Sequence, residues 1–67
     1  MRYGNLIKER RAVLRLTQQD LSDYTGLSTR IIKSVEAEDG NPSLSTLEKI
    51  ADVLGLEIIM RIRRSSE

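Results

Sequence analysis

The chain is 67 residues long, with 39% hydrophobic and 31% charged residues, which leaves room for one small core and no second domain. It contains no cysteine and no histidine, so disulfides, the usual nitrogen and sulfur zinc sites, thiol catalysis and the commonest general base are excluded. The net charge of +1 conceals a segregation: residues 1–15 hold five basic residues against Glu9, a local +4, and residues 36–57 hold six acids against Lys49, a local −5. Such a layout fits either a basic stripe facing an acidic partner such as nucleic acid or a helix with a solvated charged face. One proline and two aromatics, both tyrosine, point to an aliphatic core and a mainly helical domain. No stretch is long and apolar enough to span a bilayer, and the Met1 end lacks the apolar run of a secretory signal, so the expected location is cytoplasmic.

In chain order, a first helix is expected over residues 5–15, where Leu6, Ile7, Arg10, Arg11 and Leu14 recur at helical spacing and the remaining face is cationic. Thr17 starts the next helix, with Asp20 three residues on as its capping-box partner. That helix is expected over residues 18–24, because Gly26 fits a C-terminal residue of positive φ. Ser28 repeats the capping logic for a third helix over residues 29–36, with Ile32 and Val35 on its inner side. Glu38-Asp39-Gly40-Asn41-Pro42 is a turn by its chemistry. Ser43 then caps a fourth helix over residues 44–54, in which Leu44, Leu47, Ile50, Ala51 and Leu54 form an apolar stripe that Gly55 ends.

The period then changes. Leu56, Ile58, Met60 and Ile62 alternate with Glu57, Ile59, Arg61 and Arg63, which predicts a β-strand over residues 56–63. Nothing else in the chain reads as a strand able to pair with it, so the expected solution is a second copy, with two tails pairing antiparallel through Leu56, Ile58, Ile59, Met60 and Ile62; the alternative is that residues 56–63 lengthen the fourth helix or fray. The organisation expected is therefore a helical domain over residues 1–55 and a dimerisation strand and tail over residues 56–67.

Two short helices joined by a tight glycine-containing turn are the sequence form of a helix-turn-helix. The residues of that motif, Leu16-Thr17-Gln18-Gln19-Asp20-Leu21, Gly26-Leu27-Ser28, Ile32, Glu36, and Asn41-Pro42-Ser43-Leu44 through Thr46-Leu47 to Ile50-Ala51, resemble the Xre/Cro family of bacterial and phage repressors over about residues 4–55. The resemblance implies a mainly α, lambda-repressor-like four-helix bundle that binds double-stranded DNA, with the third helix in the major groove and the second across the backbone. It implies DNA contacts from Gln18, Ser28, Thr29, Arg30, Lys33, Ser34 and Asn41.

The chemistry of these residues fits those roles. Gln18 can offer a helix N-terminal N–H and a side-chain amide to a phosphate, although on its own it is an ordinary polar surface residue. Arg30 can grip guanine O6 and N7 bidentately, Lys33 suits a phosphate, and Thr29 and Ser34 suit bases or phosphates. Asn41 serves phosphate contact or turn chemistry equally well. Arg11 and Glu36 match family positions that form an internal ion pair, so both are expected to be structural. No catalytic residue, metal site or cofactor is expected, because no phosphate-cradling loop or converging carboxylates are present.

The chain departs from the family pattern at Arg10, where an apolar residue is common, and at Glu38, where glycine is frequent. Ile31 is apolar at an outward position, where it would meet a thymine methyl or pack beside the second helix. The strand-like tail replaces a frequent fifth helix and is similar to that of HipB-type antitoxins. That narrower likeness implies dimerisation through the strand, operator binding and capture of a HipA-like kinase toxin. The leading expectation is thus a homodimeric repressor on a palindromic operator, and the alternative is a protein inhibitor whose main work is to hold a kinase.

Overall fold

In a computed structural model, which describes residues 3–61, four helices follow one another: α1 Tyr3–Val13, α2 Gln18–Thr25, α3 Thr29–Ala37 and α4 Leu44–Leu54. Three begin on the expected caps. The Thr17 Oγ1 accepts the Asp20 N–H while the Asp20 carboxylate accepts the Thr17 N–H, both at 2.9 Å, so the capping box is complete. Ser28 Oγ accepts the Ile31 N–H at 3.2 Å and Ser43 Oγ the Thr46 N–H at 3.1 Å.

α1 spans different residues from those expected, for two physical reasons. Its start is capped from across the molecule, where the Glu38 carboxylate accepts the Gly4 N–H at 2.9 Å. Its end is a left-handed turn at Arg15, φ 58°, in which the Leu16 N–H reaches the Arg11 carbonyl at 2.9 Å and the Arg15 N–H reaches the Ala12 carbonyl at 3.0 Å. This is the paired bonding of a Schellman motif. α3 ends in the same way on Glu38, φ 55°, with the Asp39 N–H on the Ser34 carbonyl at 2.9 Å. Glu38 therefore adopts the conformation glycine takes more cheaply, and its side chain caps α1.

α1 and α2 each pack on both α3 and α4. Their shared core is Ile7, Leu21, Ile32, Val35, Ile50 and Leu54, flanked by Tyr3, Leu16, Leu27, Leu47, Val53 and Leu56. Leu44, expected in the core, is instead 54% exposed: it is the first residue of α4, at the end of the stripe that Leu47, Ile50, Ala51 and Leu54 continue into the core. The α1–α3 contact is close: a Cβ on Gly4 would stand 2.3 Å from the Glu36 carbonyl oxygen, so only glycine fits there. Arg10 is explained by the bundle's other end, where its Nε–H donates to the Leu54 carbonyl at 2.8 Å. A cation there complements the negative end of α4.

The strand expected over residues 56–63 is corrected by the structure. Residues 56–61 carry no regular secondary structure, and Ile62 and Arg63 lie outside the described residues. A ladder needs a neighbouring strand, and none exists among the described residues. Leu56 turns inward instead: its N–H donates to the Ala51 carbonyl at 2.9 Å, finishing the α4 cap, and its side chain packs against the core. Ile58, Ile59 and Met60 are exposed. No described helix is long and apolar enough to cross a membrane.

Candidate nucleic-acid interface

At about 100° per residue, the buried Ile32, Val35 and Glu36 occupy one side of α3. Arg30, Lys33, Ser34 and Ala37 therefore fall on the other. Arg30 and Lys33 are exposed, and among the described residues neither forms an ion pair. α3 presents two uncompensated cations on its outward face, and a helix about 10–12 Å across fits a major groove roughly 12 Å wide.

The turn before α3 is held rigidly. Gly26 adopts φ 77° and its N–H donates to the Ser22 carbonyl. The Ser22 hydroxyl donates to the Leu27 carbonyl at 2.5 Å, and Thr25 Oγ1 accepts the Leu27 N–H at 3.1 Å. The angle between α2 and α3 is thus fixed by local bonds. The first helical bonds run from Leu21 to the Thr17 carbonyl and from Ile32 to the Ser28 carbonyl. With the caps taking the Asp20 and Ile31 N–H groups, the N–H groups of Gln18 and Gln19, and of Thr29 and Arg30, have no acceptor within their helices. Only the α3 start adjoins the turn; α2 meets the turn with its C-terminal end and carries its own positive end at Gln18.

One buried carboxylate ties this region together. Glu36 is 5% exposed; Arg11 donates to it through Nε at 2.8 Å and Nη2 at 3.1 Å, and through Nη1 to the Leu16 carbonyl at 2.9 Å. The bond to Glu36 is the main reason the Arg11 pKa is raised above its ordinary value; burial opposes the shift and the attraction of the opposite charge adds to it. The ion pair expected between these two residues is present. The Gln18 side chain joins it, donating its amide to Glu36 Oε1 at 3.0 Å.

The remaining expected contact residues divide into two groups. Ser34 and Asn41 line one open groove of about 300 Å³, together with Ile31, Pro42, Ser43 and Thr46. The Ser34 hydroxyl already donates to the Asp39 carbonyl at 2.5 Å, so it fastens the α3–α4 connection. Asn41 is exposed in that connection. Ile31 is 41% exposed and sits on the same side. Ser28 is exposed with its oxygen engaged as a cap, and Thr29 is half-buried. Sequence reasoning missed Ala37, whose small exposed side chain continues the outward stripe one turn beyond Lys33; its i, i+4 spacing from Lys33 was the available signal.

Comparison with known proteins is consistent with this geometry. Residues 7–59 match the family model described as helix-turn-helix. Over 58 residues the chain is 40% identical to the immunity repressor protein of Bacillus phage phi105, an alignment covering 87% of this chain and 40% of that repressor. The chain thus spans well under half the length of the curated relative it matches.

Proposed function

We propose that this chain, which belongs to the helix-turn-helix family, is a sequence-specific DNA-binding transcriptional repressor, a cytoplasmic binding protein and not an enzyme. The observation that carries the reading is the outward face of α3, where Arg30 and Lys33 stand exposed without an acidic partner among the described residues. The turn beside it is held by local hydrogen bonds and leads directly into the α3 N-terminus. α3 enters the major groove, Arg30 reads a guanine edge, and Lys33 meets phosphate. The first N–H groups of α2 hold the backbone on the other side. Gln18, Ser28, Thr29, Ser34 and Asn41 complete the contact surface in this reading, with Ser34 and Ser28 acting mainly through the backbone they fix.

The finer part of the proposal is a homodimer, so that two α3 helices enter successive major grooves about 34 Å apart on a palindromic operator. Exposed apolar side chains support it: Leu6, Leu44, Ile58, Ile59 and Met60. The alternative of an antitoxin holding a HipA-like kinase rested on a C-terminal strand. Residues 56–61 form none, and the relative in hand is named a repressor, so no observation favours that alternative.

The test is selection of bound duplexes from a random pool, followed by anisotropy titrations over a salt series. Arg30→Ala should relax preference at one or two base pairs. Lys33→Ala should weaken all duplexes alike and lower the salt slope by about 1. Equal effects of both substitutions on discrimination would refute the division of roles, and failure to enrich any sequence would refute specific binding.

A further inference from the structure

The Glu36 carboxylate receives three hydrogen bonds, from Arg11 Nε at 2.8 Å, Arg11 Nη2 at 3.1 Å and Gln18 Nε2 at 3.0 Å. A carboxylate only accepts, so the Gln18 amide must turn its NH₂ group inward, and that group carries a second hydrogen. Gln18 is the first residue of α2 and half-buried, so this side chain springs from the helix start, whose first N–H groups have no acceptor within the helix. Glu36 lies on α3, and the bond therefore also links the start of α2 to the groove-entering helix. Ion pairing with Arg11 alone would leave the Gln18 side chain free to rotate.

We infer that Glu36 is a positioning residue for the phosphate contact at the start of α2: by holding one hydrogen of the Gln18 amide, it aims the other at a DNA phosphate. This rests on the DNA-binding reading above. The gain is preorganisation, since a glutamine already fixed in its bound rotamer loses little further freedom when the phosphate arrives. The helix dipole and the neighbouring backbone N–H groups favour the same anion. An acidic residue, which by charge alone would repel DNA, thereby assists binding, because Arg11 neutralises it and Gln18 transmits its orientation.

A double-mutant cycle tests this in the full chain. Arg11→Met with Glu36→Leu replaces the pair by apolar side chains of similar volume and leaves the net charge unchanged. Gln18→Ala removes the amide, and the triple variant removes both. Each is checked by thermal melting and then titrated, in low salt, against a 20-base-pair duplex of mixed sequence. Gln18→Ala and the pair replacement should each bind about fivefold more weakly, and the triple variant should lose no more than either. Losses that multiply in the triple variant would overturn the inference, because Glu36 would then act on stability alone.

A second measurement needs no replacement of the pair. The Gln18 side-chain amide resonances, assigned by their loss in Gln18→Ala, should shift as the duplex saturates the wild-type chain. Resonances that stay in place at saturation would equally overturn it. A wild-type chain that leaves the duplex unbound in low salt is a different outcome, which refutes the DNA-binding reading itself.

Discussion

Helix propensity and tertiary packing make opposite predictions at Gly4. Within α1, glycine costs roughly 1 kcal/mol relative to alanine, so Gly4→Ala should stabilise an isolated helix. In the bundle, the added Cβ would meet the Glu36 carbonyl oxygen at 2.3 Å, its carbon at 3.0 Å and Glu38 Cγ at 3.0 Å, against ordinary contact from 3.4 Å. The nearest obstacle is backbone and cannot rotate away, so α1 and α3 must separate by about 1 Å, and overpacking of this kind costs roughly 1–3 kcal/mol. The same shift weakens the 2.9 Å bond from the Gly4 N–H to Glu38, for a loss of about 1 kcal/mol. The net expectation is a destabilisation of about 1–3 kcal/mol, or a fall in Tm of roughly 4–24 °C for a domain of this size. Thermal melting by circular dichroism measures it directly. A Gly4→Ala variant melting at or above wild type would show that α1 and α3 have slack at this contact and would refute the close-approach reasoning.

Two further outcomes follow from the bonds around it. Glu38 holds a left-handed conformation and caps α1; Glu38→Ala keeps the backbone strain and loses the cap, a loss of about 1 kcal/mol, whereas Glu38→Gly relieves the strain as it loses the cap and should stay within about 0.5 kcal/mol of wild type. Equal melting of the two variants would refute the assignment. Arg11→Met should destabilise by about 3 kcal/mol, because it strands a buried carboxylate. The Arg11 pKa is raised in the folded state, so its stabilisation is fully present below the ordinary arginine value and fades only as pH climbs through the raised one. The gap in Tm between wild type and Arg11→Met should therefore be flat from about pH 8 to about pH 10, and a gap that shrinks in that window would contradict it.

The parts of this fold legible in the sequence are those set within a turn or two of the chain. Thr17, Ser28 and Ser43 act on N–H groups three residues away, so their side chains announce three helix starts. The inward and outward faces of α3 follow from the spacing of Ile32, Val35 and Glu36. The bounds of α1 are set otherwise: its start depends on Glu38, 34 residues from Gly4, and its end on a left-handed arginine where glycine is the usual signal. Arg10, an anomaly in sequence, is a cap on α4 supplied 44 residues away. The site divides along the same line. Arg11–Glu36 was legible only through a family resemblance, and the Gln18 bond to Glu36 was not legible at all, because each joins helices that only the packed bundle brings together.

The tail shows what alternation can and cannot establish. A period of two says that successive side chains face opposite ways; it supplies no partner for the backbone, and Leu56, the first residue of the alternation, is claimed by the α4 cap and the core of its own chain. Among the described residues of the tail, the exposed apolar side chains are Ile58, Ile59 and Met60. A standard interface buries about 800 Å² on each partner, and three side chains of a few tens to about 150 Å² each do not reach that. A dimer built on these three side chains must then recruit the helices. The surface to hand is the apolar groove that Ile58 lines together with Tyr3, Leu6 and Leu47, with Leu6 half-exposed on α1. Light scattering decides between the two geometries. If the tails alone joined the copies, Leu6→Lys would leave a dimer intact and Ile59→Lys with Met60→Lys would abolish it. The groove requires that Leu6→Lys also yield a monomer while Tm stays within a few degrees of wild type, since an exposed lysine stem tolerates that position. A dimer indifferent to Leu6→Lys would refute the helical contact, and a wild-type monomer at tens of micromolar would remove the two-fold operator geometry from the proposal.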